Sequence, residues 1–137
     1  MTGSNIEAAA LLQAQEELMR EILELTKRQS AALEEDDIDA LNAITDDKQR
    51  LIDEFGVLRA EYETRYRTYK QGDQINQIIV SIIEIETENK LCLAKKMEEL
   101  KKEFHQIQSG RKGVHDIVNL YSLHLCGIFF FYFRCEF

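Results

Sequence analysis

The sequence predicts an all-α fold of three long antiparallel helices, and three observations carry that prediction. No proline occurs among the 137 residues, where average usage would place roughly seven. Apolar residues recur every three to four positions along three stretches of about thirty residues, the spacing of one helical face. Only two short breaks, built from acidic residues or glycine, interrupt that spacing. Reversals in a many-stranded sheet usually recruit Gly or Pro. With 6 glycines and no proline, a sandwich or barrel is disfavoured.

The first helix is expected from about Asn5 to Leu33. Leu11, Ala14, Leu18, Ile22, Leu25 and Ala32 fall within about 40° of one another on a helix advancing 100° per residue. Leu12, Met19 and Leu23 form a second apolar stripe beside the first. Glu16–Arg20 and Glu24–Arg28 have the favourable acid-before-base order at i,i+4. The acidic run Glu34-Glu35-Asp36-Asp37 then breaks the pattern. Asp36 is placed to cap the next helix, with Asp39 three residues on, and acids suit the positive end of a helix dipole.

Helix two is expected from about Asp37 to residue 70. Leu41, Ile44, Leu51, Ile52, Phe55, Leu58, Tyr62, Tyr66 and Tyr69 lie within about 60° of Phe55, a stripe sustained through the whole helix. Gln71-Gly72-Asp73 is the second break. Gly72 is suited to end a helix in the left-handed conformation and Asp73 to cap the one that follows. Helix three is expected from Gln74 to about Gln108, stopped by Ser109-Gly110. Its inner stripe is Ile75, Ile78, Ile79, Ile82, Ile85, Asn89, Leu93, Met97, Leu100, Phe104 and Ile107. Connections of about three residues force consecutive helices to run antiparallel. The near-3.5 spacing predicts coiled-coil-like packing.

Charge divides the chain in two. Residues 1–116 hold 40 of the 42 charged residues, whereas 117–137 hold two, with five of the seven Phe. The expected domain is therefore 1–116, and the aromatic segment 117–137 is expected to be a tail under different constraints, such as a shifted reading frame. Its uncharged run Leu120–Phe133 is shorter than the ~20 residues that span a bilayer as a helix. The net charge of −8 argues against nucleic acid, whose phosphates require a surplus of Lys and Arg. Three scattered cysteines make no disulfide framework, and the N-terminus has no basic segment before an apolar run, so a cytoplasmic location is expected.

Chemistry has little to work with. There is no Gly-rich phosphate loop, nucleophile elbow or H-E-x-x-H. His105, His115 and His124 are far apart, and His124-x-Cys126 supplies only two groups where zinc needs more. No catalytic, metal or cofactor site is expected. The informative feature is surplus apolar surface. On helix three, Val80, Ile83, Thr87, Leu91 and Ala94 form a second stripe where an ordinary surface helix would carry charge. Leu12, Met19 and Leu23 of helix one would either cover that stripe or form the opposite wall of a groove for a partner. Asn89, polar on the inner stripe, is expected to fix register between helices. The second stripes also permit a homodimeric coiled-coil adapter.

Several of these features occur together in a known family. The stretch LTKRQSAALEEDDIDALNAITDDKQRLIDEF, with its acidic turn at Asp36, Asp37 and Asp39 and its Lys48-Gln49-x-Leu51-Ile52 run, resembles the first helical hairpin of flagellar type III export chaperones of the FliT/FlgN-like class. The Glu88-Asn89-Lys90 step and the ending Gly110-Arg111-Lys112-Gly113 resemble the last long helix of its small members, and favour the FliT-like branch. The resemblance spans roughly Leu18 to His115. It implies a chaperone without ATPase activity that binds a filament cap or hook–filament junction protein through the client's C-terminal amphipathic helix. It further implies delivery to the export gate and its ATPase. Family members usually end near the glycine-basic segment or add a polar helix, so residues 117–137 depart from the pattern.

Overall fold

The computed structural model describes residues 2–66 and 72–107. They form three helices, α1 (Thr2–Glu34), α2 (Ile38–Tyr66) and α3 (Asp73–Ile107). At about 1.5 Å per residue, the 33 residues of α1 make a rod on the order of 50 Å long. Tyr69, the Ser109-Gly110 stop, the glycine-basic segment and the tail 117–137 lie outside the described residues, as do the side chains of Phe104, His105 and Ile107.

The helix placed between the others is α1. Both α2 and α3 pack along it, whereas no Cα of α2 lies within 8 Å of one in α3 among the described residues. The burial pattern has the matching breadth. Residues buried on α1 run from Ala32 round to Met19, an arc of about 140° at 100° per residue. An arc that wide can face two neighbours. The partners are Leu41, Ile44, Leu51, Ile52 and Phe55 of α2, and Ile75, Ile78, Ile79 and Ile82 of α3. Cross-links fix the directions. Glu7 pairs with Arg65 at 3.6 Å and Gln29 meets Thr45 at 3.1 Å, so α1 and α2 are antiparallel. Ser30 meets Asn89 and Leu33 meets Lys96, so α3 runs parallel to α1.

The acidic break is a compact helix-to-helix corner. Asp36 adopts φ 56. The amide of Asp36 donates to the Leu33 carbonyl at 3.3 Å and that of Asp37 to the Ala32 carbonyl at 2.9 Å. This pair of bonds is a Schellman ending, with Asp36 in the left-handed position usually given to glycine. The N-cap of α2 is therefore Asp37, not Asp36. The Asp37 carboxylate accepts from the Ala40 amide at 3.1 Å, three residues on. The expected cap falls one residue early because the preceding helix uses Asp36 to stop. Lys96 of α3 closes the corner, donating to the Leu33 carbonyl and the Asp36 carboxylate, where a cation suits the negative end of α1.

The second break also differs from expectation. Gly72 has no positive φ, and its carbonyl accepts from the Asn76 amide at 3.1 Å. Gly72 is therefore the N-cap of α3. Asp73 is the first helical residue, where its charge still suits the dipole. On α1, Glu16–Arg20 pairs at 3.2 Å, but Glu24 meets Lys27, also at 3.2 Å, rather than Arg28.

In mid-helix a glycine stands where no steric reason requires one. Gly56 is in the middle of α2, and a Cβ built there meets nothing within 4 Å. Glycine in a helix interior costs roughly 0.5–1 kcal/mol relative to alanine. Gly56→Ala is expected to raise stability by about that amount, read as a higher denaturant midpoint at unchanged slope.

Candidate functional site, the open flank of helix α3

On α3 the side chains that meet α1 lie to one side. Asn89 accepts from the Ser30 hydroxyl at 2.7 Å, and Lys96 reaches the end of α1. The second stripe lies on the opposite flank. Val80, Thr87 and Ala94 fall within about 60° of Leu91 at helical spacing, and all four are exposed. Leu91 is 67% exposed and Val80 47%. Neither neighbouring helix covers them. Charge shares this face, with exposed Glu84 about 20° from Leu91 and exposed Lys95 and Glu88 at about 40° and 60°. Ile83 belongs to the edge of the core, partly buried and packed against it.

The other expected wall does not meet this flank. Met19 is in the core at 2% exposure, and Leu23 is partly buried against the same cluster. Both lie on the side of α1 that carries Ser30, toward α3. They form the α1–α3 seam and support α3 from behind. Leu12 is half-buried further along α1. The eight apolar residues therefore make an open helix face and the seam beneath it, not two walls of one groove. Tyr62 and Tyr66 stack at 4.8 Å between ring centroids, tilted 46°, and stay half-buried on α2.

Beneath the flank is a buried polar network that periodicity alone does not announce. Lys48 of α2 and Glu86 of α3 form an ion pair with both side chains withdrawn from solvent. Lys48 also donates to Gln29 Oε1 at 2.8 Å. The Gln29 amide donates to Thr45 Oγ1 at 3.1 Å, and Thr45 donates to the Leu41 carbonyl at 2.7 Å. This chain of bonds joins α2 to α3 across α1, where the backbones stay apart. Burial pushes the Lys48 amine below its ordinary range, with the nearby Glu86 carboxylate acting in the opposite direction. Glu86 Oε2 and Asn89 Nδ2, one turn apart, have no hydrogen-bond partner among the described residues. The spacing marks these residues as core positions without showing which of them pair. Leu41, Lys48 and Phe55 are seven apart, as are Gln15, Ile22 and Gln29, and Glu86 continues the stripe of Ile75, Ile79 and Ile82. A charged residue at a core position of a heptad pattern is a candidate for a register-setting polar contact.

Among the described residues no group of His, Cys, Asp and Glu is arranged to hold a metal ion. No described helix is long and apolar enough to cross a membrane. No curated protein and no solved structure gives a significant match to the chain. The family profile described as flagellar protein FliT matches residues 16–115. That span covers most of α1, both interhelix breaks, all of α2 and all of α3. With well over half of its length matched in this way, the chain belongs to the flagellar protein FliT family.

Proposed function

We propose that this chain, a flagellar export chaperone by its family, holds its client on the open flank of α3. The client segment is an amphipathic helix from the C-terminal end of a filament cap or hook–filament junction protein. The chaperone keeps that segment from self-assembly in the cytoplasm and brings it to the export gate and ATPase. The observation that carries this reading is the exposure of Leu91, Val80, Thr87 and Ala94 on one helical flank. Such a flank offers anchors at the i, i+4, i+7 spacing by which helices recognise one another. Its support from behind by Met19, Leu23 and Ile83 gives a rigid platform, which lowers the ordering cost of binding.

Capture of purified cap and junction proteins by the full chain tests the client class, and failure to hold either would refute the reading. The face is tested by Val80→Glu/Leu91→Glu. Both side chains are largely exposed, so the double variant should melt within a few degrees of wild type. Its client affinity should fall by at least about tenfold, each truncated anchor being worth about 1 kcal/mol or more. Unchanged affinity with unchanged melting would remove the client from this flank. Ile83 is a poorer probe, because a charge there would also disturb the core edge that it packs against.

A further inference from the structure

A second apolar surface lies at the corner end of the molecule, on a different side of α3. The pairing of Leu33 with Lys96 sets the last turn of α1 level with residue 96 of α3. Because α3 continues to Ile107, it outruns α1 by roughly eleven residues, or about 16 Å. Among the described residues no helix lies beside its inner stripe along that length. The result is a cleft of about 430 Å³ between the corner and the projecting end of α3, walled by Leu33, Ile38, Leu41, Leu93, Met97 and Leu100. Leu93, Met97 and Leu100 repeat at i, i+4, i+7, so an occupant lying along them sees a helical ridge pattern. The cleft occupies the place that further turns of α1 would have filled.

The rim selects the charge of the occupant. Asp36, Asp37, Glu99 and Glu103 surround the apolar floor. Among the described residues lining the cleft, the one cation is Lys96, held inward by the Leu33 carbonyl and the Asp36 carboxylate. The carbonyl end of α1 adds negative potential at the same place. A second copy of this chain is disfavoured, because a two-fold contact would set this acidic rim against itself on molecules of charge −8. From this cleft we infer a second docking site, separate from the client flank, for a partner protein's short amphipathic helix with leucine-like anchors flanked by Lys or Arg. The two surfaces use different sides of α3, so both can be filled at once.

The test uses the full chain and two labelled helical peptides of identical leucine pattern, one with lysine and one with glutamate at every polar position. Fluorescence anisotropy should show the Leu/Lys peptide binding about tenfold or more tighter at low salt, with the advantage shrinking as salt rises. Glu99→Lys/Glu103→Lys, both exposed and outside the core, should reverse the preference. Leu100→Lys should weaken the Leu/Lys peptide by a similar factor, and Val80→Glu/Leu91→Glu should leave it within about twofold. Equal binding of the two peptides, or loss through the Val80/Leu91 variant with none through the rim variant, would overturn the assignment. So would a dimer that Leu100→Lys dissociates, which gives the cleft to a second copy. Absence of binding to the full chain would overturn it too, as when residues 108–137 themselves fill the cleft.

Discussion

Lys48→Met is expected to destabilise the protein by about 3–5 kcal/mol, because it leaves the Glu86 carboxylate buried without its counter-charge. That is a large share of the roughly 5–15 kcal/mol by which a domain of this size is stable. The loss should show as a lower urea midpoint. The double change Lys48→Met/Glu86→Leu should recover most or all of it, since replacing both members of a buried pair by apolar groups of similar volume is commonly neutral or stabilising. The same replacement removes the unpartnered Glu86 Oε2, and a buried unsatisfied acceptor costs about 1–3 kcal/mol. A double variant as unstable as the single one would show that the polar network itself holds α2 and α3 in place.

The pair also sets a pH dependence. In the fold burial holds the Lys48 amine below its ordinary value of 10.5. Between the lowered folded value and 10.5 the unfolded chain therefore holds more of the proton than the native one. Stability contributed by this group rises with pH across that window, and below it the cost of the buried charge is constant. The double variant should lose this alkaline gain relative to wild type. Equal pH slopes for the two proteins between neutral pH and 10.5 would contradict the assignment.

Phe55→Ala is the second large effect. Phe55 is fully withdrawn from solvent at the centre of the α1–α2 contact. Truncating a buried phenylalanine costs about 3–5 kcal/mol through lost transfer energy and the cavity left behind. Its position seven residues beyond Lys48 is about 10 Å along the helix, so its cost should add to that of Lys48→Met with little coupling. A thermal or urea transition moved by less than about 1 kcal/mol would mean that α2 can repack around the space. Both effects concern the frame that presents α3, so client affinity at temperatures where these variants remain folded should change little.

The helical architecture was readable because it rests on periodicity, which survives in a single sequence. The stripes enter the core from Leu41 to Phe55 and from Ile75 to Ile82, whereas Leu58, Ile85, Met97 and Leu100 farther along them are only half-buried. The two corners were readable in place but not in detail. Asp36 and Asp37 are equally good cap residues in isolation, and the choice between them depends on which one ends α1 with a left-handed φ. Harder still was the identity of the central helix. Helix three has two apolar stripes and helix one has two as well, so either could be the middle one. Packing assigns that role to α1, whose polar Gln15, Thr26 and Gln29 are all buried. Such residues weaken an apolar stripe in the sequence, yet they mark the face shared by two neighbours.

The exposed flank was readable as a surplus of apolar positions, but its boundary was not. Ile83 and Leu91 are alike in sequence. One packs on the core and the other points to solvent, because α1 and α2 leave the flank around Leu91 uncovered. Met19 and Leu23 resemble a groove wall in sequence, but α1 and α3 run parallel with those residues on the side of α1 that faces α3. Lys48 and Glu86 required the tertiary register, since 38 residues separate them.

The most direct test of the account is amide hydrogen exchange along the full chain with and without a bound cap or junction protein. Client binding should add protection concentrated on residues 80–94 of α3, with the α1–α2 hairpin nearly unchanged. Protection confined to α1 and α2, with exchange at 80–94 unaltered, would contradict the claim that α3's open flank is where the client is held.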